Sequence, residues 1–346
     1  VGCAACSGGV LGLHFNSDVM GESGGCGGDG CNSCCHPGQH ACDCDSNSCL
    51  GRLFGGVYNC ICCPDPCYEA KWVSLTDAAF FSDGARPITQ MRLRGDFGWN
   101  LQFPDRSEYF WARADGNGKG PRPPAGVLGP NKLDYQQGSL YTEGAIERIG
   151  AFVELPYLHV SPDNYPAASG FGDMIVGTKT LLLDCELLLV TFEFKTYIPT
   201  GNFTSGLGTG HVSLEPSLLT ALKLTSSTYL QSQFSYWFPI GGDQQFQGSV
   251  FHYHFSLNQL LCNCGHDIQL IGTIELNGYE FTSGDFTDPV TGAAFHSPSV
   301  GNILSIGPGL RLNICDKVDF GVGTAFAITS DHLAEELIRA DFRVRF

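Results

Sequence analysis

The chain has 346 residues, including 45 Gly and 24 Phe, and only 16% are charged. That balance suits many strands joined by tight turns, in one large domain or two. No run of roughly 20 apolar residues occurs, which excludes a transmembrane helix, and a net charge of -16 argues against nucleic acid, whose phosphates would be repelled.

Residues 1–67 form a separate region dominated by Gly, Ser and Cys. It holds 13 of the 17 cysteines. Its start shows no basic stretch followed by an apolar one, so any signal peptide is expected to be gone already. Acylation at Cys3 is not expected, because Cys3 would then be the first residue. A segment this poor in apolar residues buries little core and needs staples. The candidates are Cys3, Cys6, Cys26, Cys31, Cys34, Cys35, Cys42, Cys44, Cys49, Cys60, Cys62, Cys63 and Cys67. In an exported protein these favour disulfides. Zinc or an iron–sulfur cluster is the alternative, with His36 as an added ligand. The haem attachment motif Cys-x-x-Cys-His is absent, and the odd total leaves a thiol over if no metal binds. Residues 68–88 read as a linker with one or two helical turns near Leu75–Phe81.

From residue 89 the pattern is of strands. Met91, Leu93, Phe97, Trp99 and Leu101 alternate with Arg92, Arg94, Asp96, Asn100 and Gln102. A polar loop follows at about 104–134. Further strands are expected at about 135–145, 151–157, 170–183, 185–198, 209–224, 226–239, 246–261, 265–280, 298–314 and 316–330. The last runs from Leu337 to Phe346. That makes twelve strands. Short turns near 147, 185, 226, 263 and 316 alternate with longer Gly-rich loops, the connection near Asp331 being the short exception. An even strand count with short turns on one side and long loops on the other is the pattern of an antiparallel transmembrane barrel. Such a barrel is also the remaining way to span lipid without helices. The other four cysteines, Cys185, Cys262, Cys264 and Cys315, all fall at short turns, on the side where the Cys-rich region enters. Disulfides or a shared metal between them are sterically open.

Period-two alternation assigns faces. Phe192, Phe194, Leu214, Leu218, Phe251, Phe255, Ile306, Leu310, Phe320 and Val322 share one face, expected toward lipid. The other carries Arg92, Arg94, Glu154, Asp173, Glu193, Glu215, His252, His254, Glu275, Arg311, Arg339 and Arg343, expected to line a lumen, with Gly307, Gly309, Gly321 and Gly323 between them. A soluble barrel or sandwich, burying the apolar face, is the rival. The arginines cluster near the seam and the acids Glu154, Asp173, Glu193 and Glu215 elsewhere. Either the two walls set a field across the pore, or Asp96 and Asp341 neutralise the arginines. His252, Ser256 and Asn258 share the inner face, but positions i, i+4 and i+6 on one strand lie roughly 13 and 7 Å apart. Pore lining is therefore preferred to a hydrolase relay.

The closing strand alternates Ile338, Ala340, Phe342, Val344 and Phe346 with Arg339, Asp341, Arg343 and Arg345. It resembles the last strand of bacterial outer-membrane barrels, in which the terminal aromatic, here Phe346, acts as the assembly signal. Three further segments sharpen this: Glu154-Leu155-Pro156-Tyr157, Gly170-Phe171-Gly172-Asp173 and Tyr197-Ile198-Pro199-Thr200-Gly201. Residues 89–346 resemble the bacterial outer-membrane channels linked with the meta-pathway of phenol degradation, described as transporters. The resemblance implies a 12-stranded barrel passing small solutes, aromatic or apolar ones among them. The expectation is thus an all-β chain with three parts: a Cys-rich periplasmic domain or plug (1–67), a linker (68–88) and an outer-membrane barrel (89–346). Its partners would be outer-membrane lipid, small solutes and further copies of itself. The Cys-rich domain would gate the pore or link protomers. A disulfide-linked structural oligomer of plugged barrels, or a metal or redox module on a barrel, are the rivals. Enzymatic activity is not expected.

Overall fold

The computed structural model describes residues 70–102, 121, 132–163, 165–242, 245–263, 268–287, 294–296, 298 and 301–346. The cysteines of residues 1–67, and Cys264, lie outside them. The chain divides into two compact units, residues 1–71 with 184–188 and residues 72–183 with 189–346. In the described part of the first unit, the Cys185 amide donates to the Leu188 carbonyl at 3.1 Å.

Among its described residues the regular structure of the second unit is strand, apart from the 3-10 turns Ser74–Asp77 and Phe203–Ser205. Twelve long strands make its wall: β1 (Gln90–Leu101), β2 (Leu133–Ile146), β3 (Ile149–Pro162), β5 (Met174–Asp184), β6 (Leu188–Ile198), β7 (Val212–Thr225), β8 (Thr228–Ile240), β9 (Val250–Asn263), β10 (Ile268–Phe281), β13 (Asn302–Ile314), β14 (Val318–Ala327) and β15 (Glu336–Arg345). Three short strands decorate it, β4 (Ala168–Phe171), β11 (Asp285–Thr287) and β12 (Ala294–His296). The order β2-β1-β15-β14-β13-β10-β9-β8-β7-β6-β5-β3, together with the β2–β3 pairing, closes the sheet on itself. Closure leaves no edge among the long strands, so the wall's backbone groups pair within the protein. All twelve expected strands are present.

The short connections follow from local chemistry. At the β13–β14 turn Cys315 and Asp316 both adopt left-handed backbone, φ 54° and 56°, which matches the twist of a two-residue hairpin. Asn100 also takes φ 53°, and the β1–β2 register slips between Gly98 and Leu101. This bulge reverses the face of the strand end. Leu101 was expected outside with Met91 and Trp99, but it is buried at 1% exposure, packed with Leu133, Leu158, Val160 and Leu207. A bulge adds one residue to one strand, and one residue is enough to flip a period-two pattern.

The outer face carries exposed apolar side chains around the whole circumference, among them Leu93, Leu155, Phe192, Leu218, Leu257, Ile274, Leu310, Val322 and Phe342. A continuous apolar belt of this size is far beyond the patches that soluble proteins expose.

The segment expected to be a linker is, from Trp72 onward, inside the barrel. It enters beside the short turns at β8, β9 and β10, where Leu75 and Ala78 pack on Tyr229 and Ile271. It rises to about mid-height at Phe80–Asp83 and descends to begin β1. Ala85 packs there on Leu181, Leu189, Leu219 and Ala221. The helical turn foreseen near Leu75–Phe81 is a 3-10 turn, Ser74–Asp77.

Candidate functional site: the filled lumen

A chain with no regular structure cannot be buried unless its polar backbone finds partners. Residues 78–88 find them on the wall. The amides of Ala78 and Ala79 both donate to Gln231 Oε1 at 3.0 Å. Those of Phe80 and Phe81 donate to the two oxygens of Glu275 at 2.8 and 2.9 Å. The Asp83 amide donates to Gln233 Oε1 at 2.8 Å, and the Ile88 amide to Glu143 Oε1 at 3.3 Å. Carbonyls are met in the same way. Leu75 accepts from Asn258 Nδ2 at 2.9 Å, and Ala78 and Ala79 accept from Arg311 at 3.0 and 3.3 Å. Phe80 accepts from Arg339 Nη1 at 2.7 Å, and Ala85 from the Thr191 hydroxyl. The strands thus present side chains where a second piece of backbone would otherwise be needed.

Two aspartates of this plug, one on its rising limb and one near its tip, are ion-paired to the wall. Asp77 Oδ1 lies 2.9 Å from Arg343 Nη1. Asp83 Oδ2 lies 2.7 Å from Lys195 Nζ, and its Oδ1 lies 3.6 Å from Arg92 Nη1. Aromatic rings add cation–π contacts: Arg311 sits 4.3 Å from the Phe80 ring centroid, Arg339 4.7 Å from that of Phe81, and Arg345 3.8 Å from that of Trp72.

The residues expected on the inner face are brought together, and the neutralised arrangement is the one found. Arg339 forks onto Asp96 at 2.7 and 2.8 Å. Arg311 reaches Asp319 at 2.6 Å and Asp341 at 3.0 Å. Arg343 reaches Asp319 at 2.9 Å, and Arg345 also bonds Asp319. The basic and acidic walls touch where Arg94 Nη2 meets Glu154 Oε1 at 2.6 Å, and Arg92 lies 3.9 Å from the other Glu154 oxygen. Glu193 lies 3.2 Å from Lys195 and 3.8 Å from Lys179. His252 Nδ1 is 3.8 Å from Glu215, which also accepts from the Tyr197 hydroxyl. His254 Nδ1 and Asn277 Oδ1 are 2.8 Å apart. Ser256 donates to Asn258 at 2.7 Å, so its hydroxyl serves the plug support rather than a histidine.

Asp173 differs from the rest. It lies between β4 and β5, and its carboxylate accepts from the amides of Gly201 and Thr209 and from the Thr209 hydroxyl at 2.9, 2.8 and 2.9 Å. That holds the β6–β7 loop folded, with Leu207 tucked against Leu101, Leu133, Leu158 and Val160. Asp173 shapes the long-loop mouth instead of lining the wall.

The residues missed from the sequence are those of the plug, Asp77, Asp83, Phe80 and Phe81, and their wall partners Glu143 and Lys179. One signal for them was present. Gly309 and Gly323 stand on the inner face where a Cβ would come within 2.5 Å of the Phe80 ring. These glycines make room for something inside the barrel.

Among the described residues no group of three or more His, Cys, Asp or Glu is arranged to hold a metal. The cysteines considered for zinc or an iron–sulfur cluster in residues 1–67 lie outside them. At the turns, Cys185 and Cys315 are disulfide-bonded.

Among solved structures, an outer membrane channel from Pseudomonas putida F1 matches at 11% identity and a TM-score of 0.49, covering 75% of this chain and 96% of that one. The NanC porin matches at 8% identity and a TM-score of 0.42, covering 74% of this chain and 100% of its own. The KdgM porin in complex with disordered oligogalacturonate matches at 9% identity and a TM-score of 0.40, with 74% and 99% covered. A search of the curated proteins found no match. A family model described as "Putative MetA-pathway of phenol degradation" matches residues 71–337, well over half the chain, and the protein therefore belongs to that family.

Proposed function

We propose that this protein is an outer-membrane channel for small solutes, held shut by residues Trp72–Ile88 folded into its own lumen. The apolar outer belt suits lipid, and the polar inner face suits a water-filled path. The short-turn side, beside which the plug enters, would face the periplasm. One observation carries the reading: among the described residues the plug meets the wall through side chains, by hydrogen bonds, ion pairs, cation–π contacts and apolar packing, with no strand pairing of its own. A segment held in this way can leave without unzipping the barrel. Selectivity would come from lumen width and charge, and no covalent chemistry is needed.

The gate is thereby assigned to residues 72–88, with the Cys-rich region as its anchor or as a link between protomers. The test is single-channel conductance in planar bilayers on three forms: the intact chain, one lacking residues 1–67, and one lacking residues 1–88. The expected result is that only the last conducts steadily. The filled lumen also favours a second reading, a disulfide-linked structural oligomer of closed barrels. That reading gains if no form conducts while non-reducing gels show a reductant-sensitive oligomer.

A further inference from the structure

Just above the plug tip, on its long-loop side, a small pocket opens between Phe81, Tyr279, Ile303, Leu333 and Leu337, with Asn277 among its lining. Its walls are mostly apolar, with Ser305 and His332 also among the lining, and Ile303 belongs to a buried cluster with Trp237, Val250 and Phe281. Asn277 is 1% exposed. Its Oδ1 is engaged by His254, but among the described residues its Nδ2 has no hydrogen-bond partner. A buried amide donor left unpaired costs on the order of 1–3 kcal/mol. Such a group in a mostly apolar pocket is the expected mark of a ligand subsite, where a few polar atoms fix the orientation of a mostly apolar guest. The free space now has room for about one water, roughly 20 Å³. A larger guest needs Phe81 to move.

Phe81 is also the plug tip. Its amide is bound to Glu275 at 2.9 Å, and its ring lies beneath Arg339. Docking on Asn277 and displacement of the tip would therefore be one event. We propose that Asn277 is the recognition point for a small apolar solute bearing one acceptor oxygen, such as a ketone or ether. Its binding in place of the Phe81 ring loosens the plug from the long-loop side. A solute of that kind satisfies the orphan N–H, while a hydrocarbon of the same shape leaves it unpaired. The state with Phe81 displaced is thus favoured only by solutes with the acceptor. This rests on the channel reading above and adds the solute chemistry and the trigger.

The test uses the intact chain in lipid nanodiscs and in planar bilayers, with cyclohexanone as probe and methylcyclohexane as its hydrocarbon counterpart. Ligand-observed NMR reads binding, and conductance reads opening, for the natural chain and for Asn277→Leu. Cyclohexanone is expected to bind the natural chain and raise its opening frequency about tenfold. Methylcyclohexane is expected to have little effect, and Asn277→Leu to lose both responses. Phe81→Ala, which removes the ring without touching Asn277, should bind cyclohexanone more tightly and open without it. The proposal is overturned if Asn277→Leu binds cyclohexanone as the natural chain does, or if the hydrocarbon acts equally well. Binding that depends on Asn277, in a protein whose form lacking residues 1–88 never conducts, would keep the site and remove the channel. Conductance of that form, with no Asn277-dependent binding, would do the reverse.

Discussion

Arg343, on the closing strand, holds Asp77 of the plug twice. Its Nη1 lies 2.9 Å from the carboxylate Oδ1, and its Nη2 donates to the Asp77 carbonyl at 2.6 Å. The same guanidinium, through Nε, reaches Asp319 on β14 at 2.9 Å. One side chain therefore ties the seam of the barrel to the segment that fills it. Asp77→Asn keeps the shape and removes the charge, leaving Arg343 with Asp319. The expected cost to the plug is about 1–3 kcal/mol, and single-channel recording should show openings at least about fivefold more frequent. An unchanged record would mean that Asp77 does not hold the gate.

Glu275 is a second hold of a different kind, because it supports backbone. Both of its oxygens accept plug amides, those of Phe80 and Phe81. Glu275→Leu leaves two plug N–H groups, one buried and one partly buried, without their acceptor and should release the tip, raising conductance more than Asp77→Asn does. Glu275→Gln keeps one acceptor and should fall between. Circular dichroism and heat-modified gel mobility are expected to stay as in the natural chain, since β10 keeps its full ladder with β9 and β13.

Asp319 should behave as a stability residue. It accepts from Arg311, Arg343 and Arg345 at essentially no exposure. Removing one partner of a buried ion network leaves uncompensated charge at about 3–5 kcal/mol. Asp319→Asn is expected to lower the urea midpoint of barrel unfolding clearly. Arg345→Gln, at the network's edge, should cost less, because Arg311 and Arg343 keep their bonds to Asp319. Equal midpoints for the two variants would contradict the network.

Asp173 supplies a pH argument outside the barrel wall. Burial raises its carboxyl above the usual value, outweighing the hydrogen bonds from Thr209 and Gly201 that pull the other way. A raised acid favours the protonated form in the folded state. Its contribution to stability is therefore present at low pH and declines as pH rises from about 4 through the raised value. Hydrogen exchange at the Gly201 and Thr209 amides should not speed up, through this group, on acidification from pH 7 to 5. At pH 7, Asp173→Asn keeps an acceptor without the charge and should preserve protection better than Asp173→Ala.

Much of this was written in the residue pattern, and the reason is physical. A barrel wall separates two solvents, so every strand must alternate. Phe320 and Val322 against Asp319 and Gly321 can be sorted with no coordinates at all. The strand count, the closing parity and the inner positions of Arg311, Arg339, Glu275 and His254 followed from that constraint. Three things did not. The bulge at Asn100 turned Leu101 inward by a single left-handed residue, which alternation cannot foresee. Asp173 was placed by a loop folding back onto it. The plug has no periodicity, because its backbone bonds to side chains instead of to a ladder. Its partners, Gln231, Glu275 and Arg343, lie 150 or more positions away in sequence. Only closing the barrel gathers them around one point, and so tertiary structure alone decided whether the two charged walls would hold a field or, as found, neutralise each other around a stopper.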